Sequence, residues 1–78
     1  MPHVIVKMYS GRSQEQKARL AQQISKAVMA ALNSSEEAVS VAIEDIEPKD
    51  WLEQVYNPDI LGKPDKIYKK PGYSPESV

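Results

Sequence analysis

The sequence contains no cysteine, and it contains a single histidine, His3. Without cysteine the chain has no disulfide framework, no thiolate nucleophile and no cysteine zinc site, and one histidine cannot hold a metal ion alone. Chemistry without a metal is therefore expected. No apolar run near the start of the chain is long enough for a signal peptide or a membrane span. A soluble protein of the cytoplasm is the expectation.

The chain also lacks a strong charge of either sign. Ten basic and eleven acidic residues give a formal net charge of −1, which provides no general attraction to nucleic acid. The 78 residues are enough for one small domain, and a chain of this size buries only about 60% of the surface that its unfolded form exposes. Such a monomer is marginally stable, so the length favours a homo-oligomer.

Two segments alternate between apolar and polar residues, at 2–9 and at 38–44. A period of two residues is typical of a half-buried strand, and the sequence predicts a strand at each place. In the first strand, alternation puts His3 on the face opposite Val4 and Val6. We therefore interpret His3 as a surface residue rather than as a second acid.

The segment between the two strands has the pattern of an amphipathic helix. Ser13 and Gln16 form a capping-box pattern, which predicts that the helix begins at about Gln14. Asn33 and the serines after it are suited to a turn and predict its end. Lys17 falls within the apolar stripe of this helix, and we expect its ammonium group to reach out to water.

The order strand, helix, strand predicts an α/β (α+β) fold built on one βαβ unit, with parallel strands and a right-handed crossover. We expect a single domain, with the βαβ core at residues 2–47. Two strands are too few for a stable sheet, so two chains are expected to pair into a four-stranded sheet. Prolines interrupt residues 48–78, which predicts a tail that wraps the sheet or a neighbouring subunit, with a short helical turn at 48–56.

Three features follow one another along the chain: Pro2 before the first strand, Gly11-Arg12-Ser13 at the turn into the helix, and Trp51 shortly after the second strand. In order and spacing they resemble the 4-oxalocrotonate tautomerase family. The stretches 46–51 and 69–73 resemble its small bacterial members. The resemblance implies cofactor-free keto–enol isomerisation of a 2-oxo acid such as phenylpyruvate. It also implies a homodimer, or a hexamer made of three dimers.

The resemblance gives Pro2 the role of general base and acid. Aminopeptidases generally remove an initiator methionine when the next side chain is as small as that of proline. Removal of Met1 would leave Pro2 with a free secondary amine. A free α-amino group has a pKa of about 7.7–8, and desolvation or nearby cations lower such a pKa toward neutrality, which suits a proton shuttle. With Met1 attached, the nitrogen is an amide without useful basicity. The alternative is a proline that merely begins an edge strand.

Arg12 and Trp51 are the substrate-binding residues that the resemblance implies. Arg12 stands just before the helix, where the helix dipole adds positive potential, and it would bind the substrate carboxylate. Trp51 would close the apolar side of the pocket and keep the proline dry. The alternatives are a solvated turn arginine and a simple core anchor.

Ser40 departs from the family's pattern, because the archetype has a second arginine at this position. A hydroxyl donates a neutral hydrogen bond, which is weaker than that of an arginine. We therefore expect a monoacid such as an aryl pyruvate rather than a dicarboxylate as the substrate. Four lysines are candidates to replace the missing charge: Lys7, Lys17, Lys69 and Lys70.

Two other functions are compatible with the sequence. The first is a dehalogenase or hydratase of the same superfamily, in which protonated Pro2 assists the addition of water to an unsaturated halo-acid. The second is a non-catalytic binding or assembly module that has kept the fold, for which Ser40 and a retained Met1 would argue.

Overall fold

A computed structural model describes all residues from Met1 to Val78. Strand β1 (His3–Tyr9) is followed by helix α1 (Gln14–Leu32) and strand β2 (Ser40–Ile46). The two strands form a parallel, two-stranded sheet. The order confirms the predicted βαβ unit. By its internal contacts the chain divides into two units, Met1–Asp45 and Ile46–Val78, which we describe separately.

Strand β2 begins two residues later than predicted. Residues Glu36–Ala38 form a 3-10 turn, in which the Ala38 N–H donates to the Ser35 carbonyl at 3.1 Å. These backbone groups are satisfied within the turn and cannot join the ladder. Pairing with β1 starts at Ser40, whose N–H donates to the Pro2 carbonyl at 3.2 Å. The predicted range of 38–44 is therefore wrong at both ends.

Helix α1 begins and ends where its capping residues predict. The Gln16 N–H donates to Ser13 Oγ at 3.1 Å, and the Ser13 N–H donates to Gln16 Oε1 at 3.0 Å, which completes a capping box. Asn33 closes the helix in the left-handed conformation with φ 55°, as asparagine tolerates better than most residues. The inward stripe is only half-buried, and no residue of α1 is fully buried. The first unit therefore has a thin interior.

The second unit is more helical than predicted. After a 3-10 turn at Pro48–Asp50, a π-helix runs over Leu52–Leu61, so the predicted helical turn, which ended at residue 56, is too short. The π-helix closes with a bond from the Gly62 N–H to the Asn57 carbonyl at 2.9 Å. Wrapping of a neighbour by residues 48–78 stays a prediction.

Only two hydrophobic residues are buried, Ile46 at 9% exposure and Val55 at 4%. Val55 lies inside the π-helix and is its one buried residue. No helix combines the length and apolar character that crossing a bilayer requires.

Candidate active site

Pro2 lies at the open end of β1. It is half-buried, and its carbonyl accepts the Ser40 N–H, which fixes the backbone that carries the predicted base. Met1 is fully exposed at 102%. Removal of Met1 would leave the Pro2 amine on a backbone already held by β2.

Arg12 lies at the other end of β1, in the turn that leads into α1. Gly11 makes this turn with φ 118°, a conformation that L-residues with a side chain rarely adopt. Arg12 is exposed, and its guanidinium forms no hydrogen bond or ion pair within the chain. Since Ser13 caps the helix, Arg12 stands beside the positive end of the helix dipole, where an anion is favoured.

Pro2 and Arg12 are not brought together within one chain. The seven residues of β1 span about 20 Å at roughly 3.3 Å per residue, and the two candidates flank this strand at opposite ends. An arginine side chain is much shorter than that span. A site that uses both residues therefore needs a second copy of the chain.

His3 and Ser40 form a contact that the sequence did not predict. His3 Nδ1 lies 2.6 Å from Ser40 Oγ. His3 is exposed as expected, but it contacts Ser40, which departs from the family's pattern. This pairing follows from the register of β2 against β1, in which the Ser40 N–H meets the Pro2 carbonyl. Once that register is known, the contact can be read from the sequence.

Lys17 does not reach out to water as predicted. Its Nζ lies 2.7 Å from Asp45 Oδ2, and its side chain is only 16% exposed. Asp45 thus neutralises the charge inside the first unit, and Lys17 is not free to replace the missing arginine. Of the other candidates, Lys7 also has a partner, whereas Lys69 and Lys70 are exposed in the second unit.

Trp51 belongs to an aromatic group in the second unit. Its indole Nε1–H donates to the Tyr73 hydroxyl at 3.0 Å, and the Tyr73 ring is tilted against that of Tyr56, with centroids 5.8 Å apart. Tyr56 and Tyr73 also line an open cleft of about 260 Å³. Trp51 is half-buried, as befits an anchor for this segment. Its predicted role beside Pro2 stays a prediction.

Comparisons with known proteins show which family this chain resembles. A family described as tautomerase enzyme matches residues 2–56, which include Pro2, Arg12 and Trp51. A probable tautomerase of Xylella fastidiosa (strain 9a5c) is 47% identical over 73 residues, covering 94% of this chain and 89% of that protein. Tautomerase PptA of Enterobacter sp. (strain 638) is 40% identical over 75 residues, covering 95% and 99%.

A solved structure supports the same relationship. A heterohexamer 4-oxalocrotonate tautomerase from Chloroflexus aurantiacus J-10-fl aligns with a TM-score of 0.63 and 37% identity, covering 65% of this chain and 82% of that one. The shared fold and the match that begins at Pro2 together decide the family. The chain belongs to the tautomerase family and is an isomerase.

Proposed function

We propose that this tautomerase interconverts the keto and enol forms of an aryl 2-oxo acid, for which phenylpyruvate is the representative, and that the amine of Pro2 carries the proton. One observation carries the proposal. Pro2 stands at the open start of β1, held through its carbonyl by Ser40, behind a fully exposed Met1. Removal of Met1 would create a secondary amine that needs no side chain to reach the substrate.

The reaction needs one group that can accept and return a proton. In the direction from enol to ketone, the Pro2 nitrogen accepts the hydroxyl proton, and the O–H electron pair forms the carbonyl bond. The electrons of the C=C bond then take up the proton that the amine releases at C3. No atom or electron is gained overall, and a group that titrates near neutrality suits both halves of the exchange.

Arg12 is proposed to bind the carboxylate of a substrate held at the Pro2 of a second copy. The span of β1 argues against its serving the Pro2 of its own chain, and its unpaired guanidinium can form a bidentate pair with a carboxylate. Two-fold symmetry supports the arrangement, because it makes paired edge strands antiparallel. If β1 pairs with β1, the amino end of one strand lies beside the carboxyl end of the other.

The thin interior of the first unit also supports a homo-oligomer. No residue of α1 is fully buried, and Ile5 in β1 is 53% exposed. A small unit of this kind gains stability by burying such surface against another copy. We propose a homodimer, alone or within a hexamer, acting in the cytoplasm.

The charges favour an aryl monoacid over a dicarboxylate. Ser40 is uncharged, and Lys17 is already neutralised by Asp45 at 2.7 Å. Arg12 thus remains the one unpaired cation of the turn before α1, which matches one carboxylate. Trp51 is proposed to supply an apolar wall for the aryl group.

Turnover of enol-phenylpyruvate tests the proposal, on protein whose mass confirms that it begins at Pro2. Pro2→Ala leaves a primary amine of different basicity and shape, and we expect kcat/KM to fall about 100-fold or more with an unchanged circular dichroism spectrum. Full turnover by Pro2→Ala would refute Pro2 as the base. Absence of turnover in the verified wild-type chain would favour a binding module, and halide release from a 3-haloacrylate would favour a dehalogenase.

A further inference from the structure

Ser40 is joined twice to the amino end of β1. Its N–H donates to the Pro2 carbonyl at 3.2 Å, and its Oγ lies 2.6 Å from His3 Nδ1. In this parallel register His3 and Ser40 stand opposite one another, so both side chains point to the same face of the sheet. Both are exposed, and a bound molecule can reach them.

The short distance means that one hydrogen lies between the two atoms. Either Ser40 donates its hydroxyl hydrogen to Nδ1, or Nδ1–H donates to Ser40 Oγ. In the second arrangement the hydroxyl hydrogen remains free to point at another acceptor. Accepting the imidazole hydrogen also polarises the hydroxyl and makes it a stronger donor.

The Pro2 nitrogen lies at the same end of β1 as this hydroxyl, because Ser40 is hydrogen-bonded to the Pro2 carbonyl. It is a backbone atom, so it is not confined to one face of the sheet as a side chain would be. Neighbouring strands are about 4.8 Å apart, and Ser40 is the residue of β2 that pairs at this end of β1. A substrate whose C3 meets the Pro2 nitrogen would therefore lie at the same end of the sheet as the Ser40 hydroxyl.

The geometry points to Ser40 as a catalytic residue that donates its hydroxyl hydrogen to the 2-oxygen of the substrate, and to His3 as the positioning residue that keeps this hydrogen available. The inference rests on the proposed function. As Pro2 removes a proton from C3, negative charge develops on the 2-oxygen, and a donor already aimed at that oxygen lowers the barrier. Ser40 keeps its proton throughout.

The tautomer of His3 gives the first test, and it does not depend on turnover. The chain has one histidine, so the imidazole nitrogens can be observed without ambiguity by long-range proton–nitrogen NMR on the full chain that begins at Pro2. We expect hydrogen on Nδ1 at neutral pH. A neutral ring with hydrogen only on Nε2 would make Ser40 the donor to His3 and would overturn the inference.

Kinetics of matched variants give the second test. Removing one oxyanion donor typically costs about 100-fold in kcat or more; for this exposed hydroxyl we expect Ser40→Ala to lower kcat by roughly 10- to 100-fold, with KM changed less than about twofold. Ser40→Thr keeps the hydroxyl and should restore most of the rate. A wild-type kcat in Ser40→Ala, or a change confined to KM, would overturn the inference.

His3 should act only through Ser40. His3→Leu should lower kcat, whereas His3→Asn, whose amide nitrogen can take the place of Nδ1, should restore part of the loss. In the Ser40→Ala background, His3→Leu should have no further effect, and additive losses would mean that the two residues act separately. Pro2→Ala separates the two proposals: if it abolishes turnover while Ser40→Ala does not, the function stands and the role of Ser40 fails.

Discussion

Mixing two impaired variants should restore activity if each active site is shared between two chains. Pro2→Ala removes the base, and Arg12→Ala removes the carboxylate anchor. Because β1 holds these residues about 20 Å apart at its two ends, a mixed dimer contains one site with both defects and one with neither. Neither variant can form an intact site alone.

The size of the recovery follows from the pairing. When equal amounts assemble at random, about half of the dimers are mixed, and one of the two sites in each is intact, so about one quarter of wild-type activity should return. Before mixing, Arg12→Ala should lower kcat/KM by about 10- to 100-fold, since hydrogen bonds to charged groups contribute roughly 1.5–3 kcal/mol.

The assay is enol-phenylpyruvate turnover after co-refolding, at substrate concentrations below KM. The matched control mixes Pro2→Ala with the double variant Pro2→Ala/Arg12→Ala, which cannot form an intact site in any arrangement. Arg19→Ala, which alters another exposed arginine, should retain wild-type turnover. No recovery on mixing, with exchange of chains verified by mass spectrometry, would mean that Arg12 does not act on the Pro2 of a partner.

Two predictions concern stability, both measured by urea unfolding. Asp45→Ala should lower the free energy of unfolding by about 1–2 kcal/mol, because it leaves the ammonium group of Lys17, 16% exposed, without its partner. Arg19→Ala, which breaks a pair whose side chains are 62% and 84% exposed, should change it by less than about 0.5 kcal/mol. Gly62→Ala should cost about 1–3 kcal/mol, because the added Cβ would lie 2.8 Å from a backbone carbonyl oxygen. Gly72→Ala has nothing within 4 Å of the new Cβ, and equal losses for the two glycine variants would contradict the steric argument.

Local sequence signals predict helix α1 correctly. The predicted bounds of β2 are wrong because a 3-10 turn forms just before the strand. Ser13 and Gln16 act within one turn of each other, so their pattern is sufficient to place the start of α1. The start of β2 depends instead on whether the backbone groups of residues Glu36–Ala38 bond within a 3-10 turn or pair with β1. The alternation of apolar and polar residues continues through both the 3-10 turn and the strand, so it cannot show where the turn ends and the strand begins.

The site was only partly predictable for a related reason. The sequence identifies Pro2 and Arg12 by their order and spacing along the chain. The distance between them in space depends on the extended strand that separates them. The partners of His3 and Lys17 lie on β2, and they depend on its register and on the packing of α1. The extent of the π-helix after residue 51 was missed because the proline inside it, Pro58, is usually a helix breaker.

In the proposed homo-oligomer, the scarcity of buried residues would tie the stability of this protein to its concentration in the cell. Both buried hydrophobic residues, Ile46 and Val55, lie in the second unit, so the first unit would acquire most of its interior only in the proposed oligomer. In that oligomer, folding and association would share one equilibrium, and the melting temperature would rise with protein concentration. A cell that makes little of it would hold a larger fraction of unfolded chains open to proteolysis, and activity would then fall faster than the amount of protein.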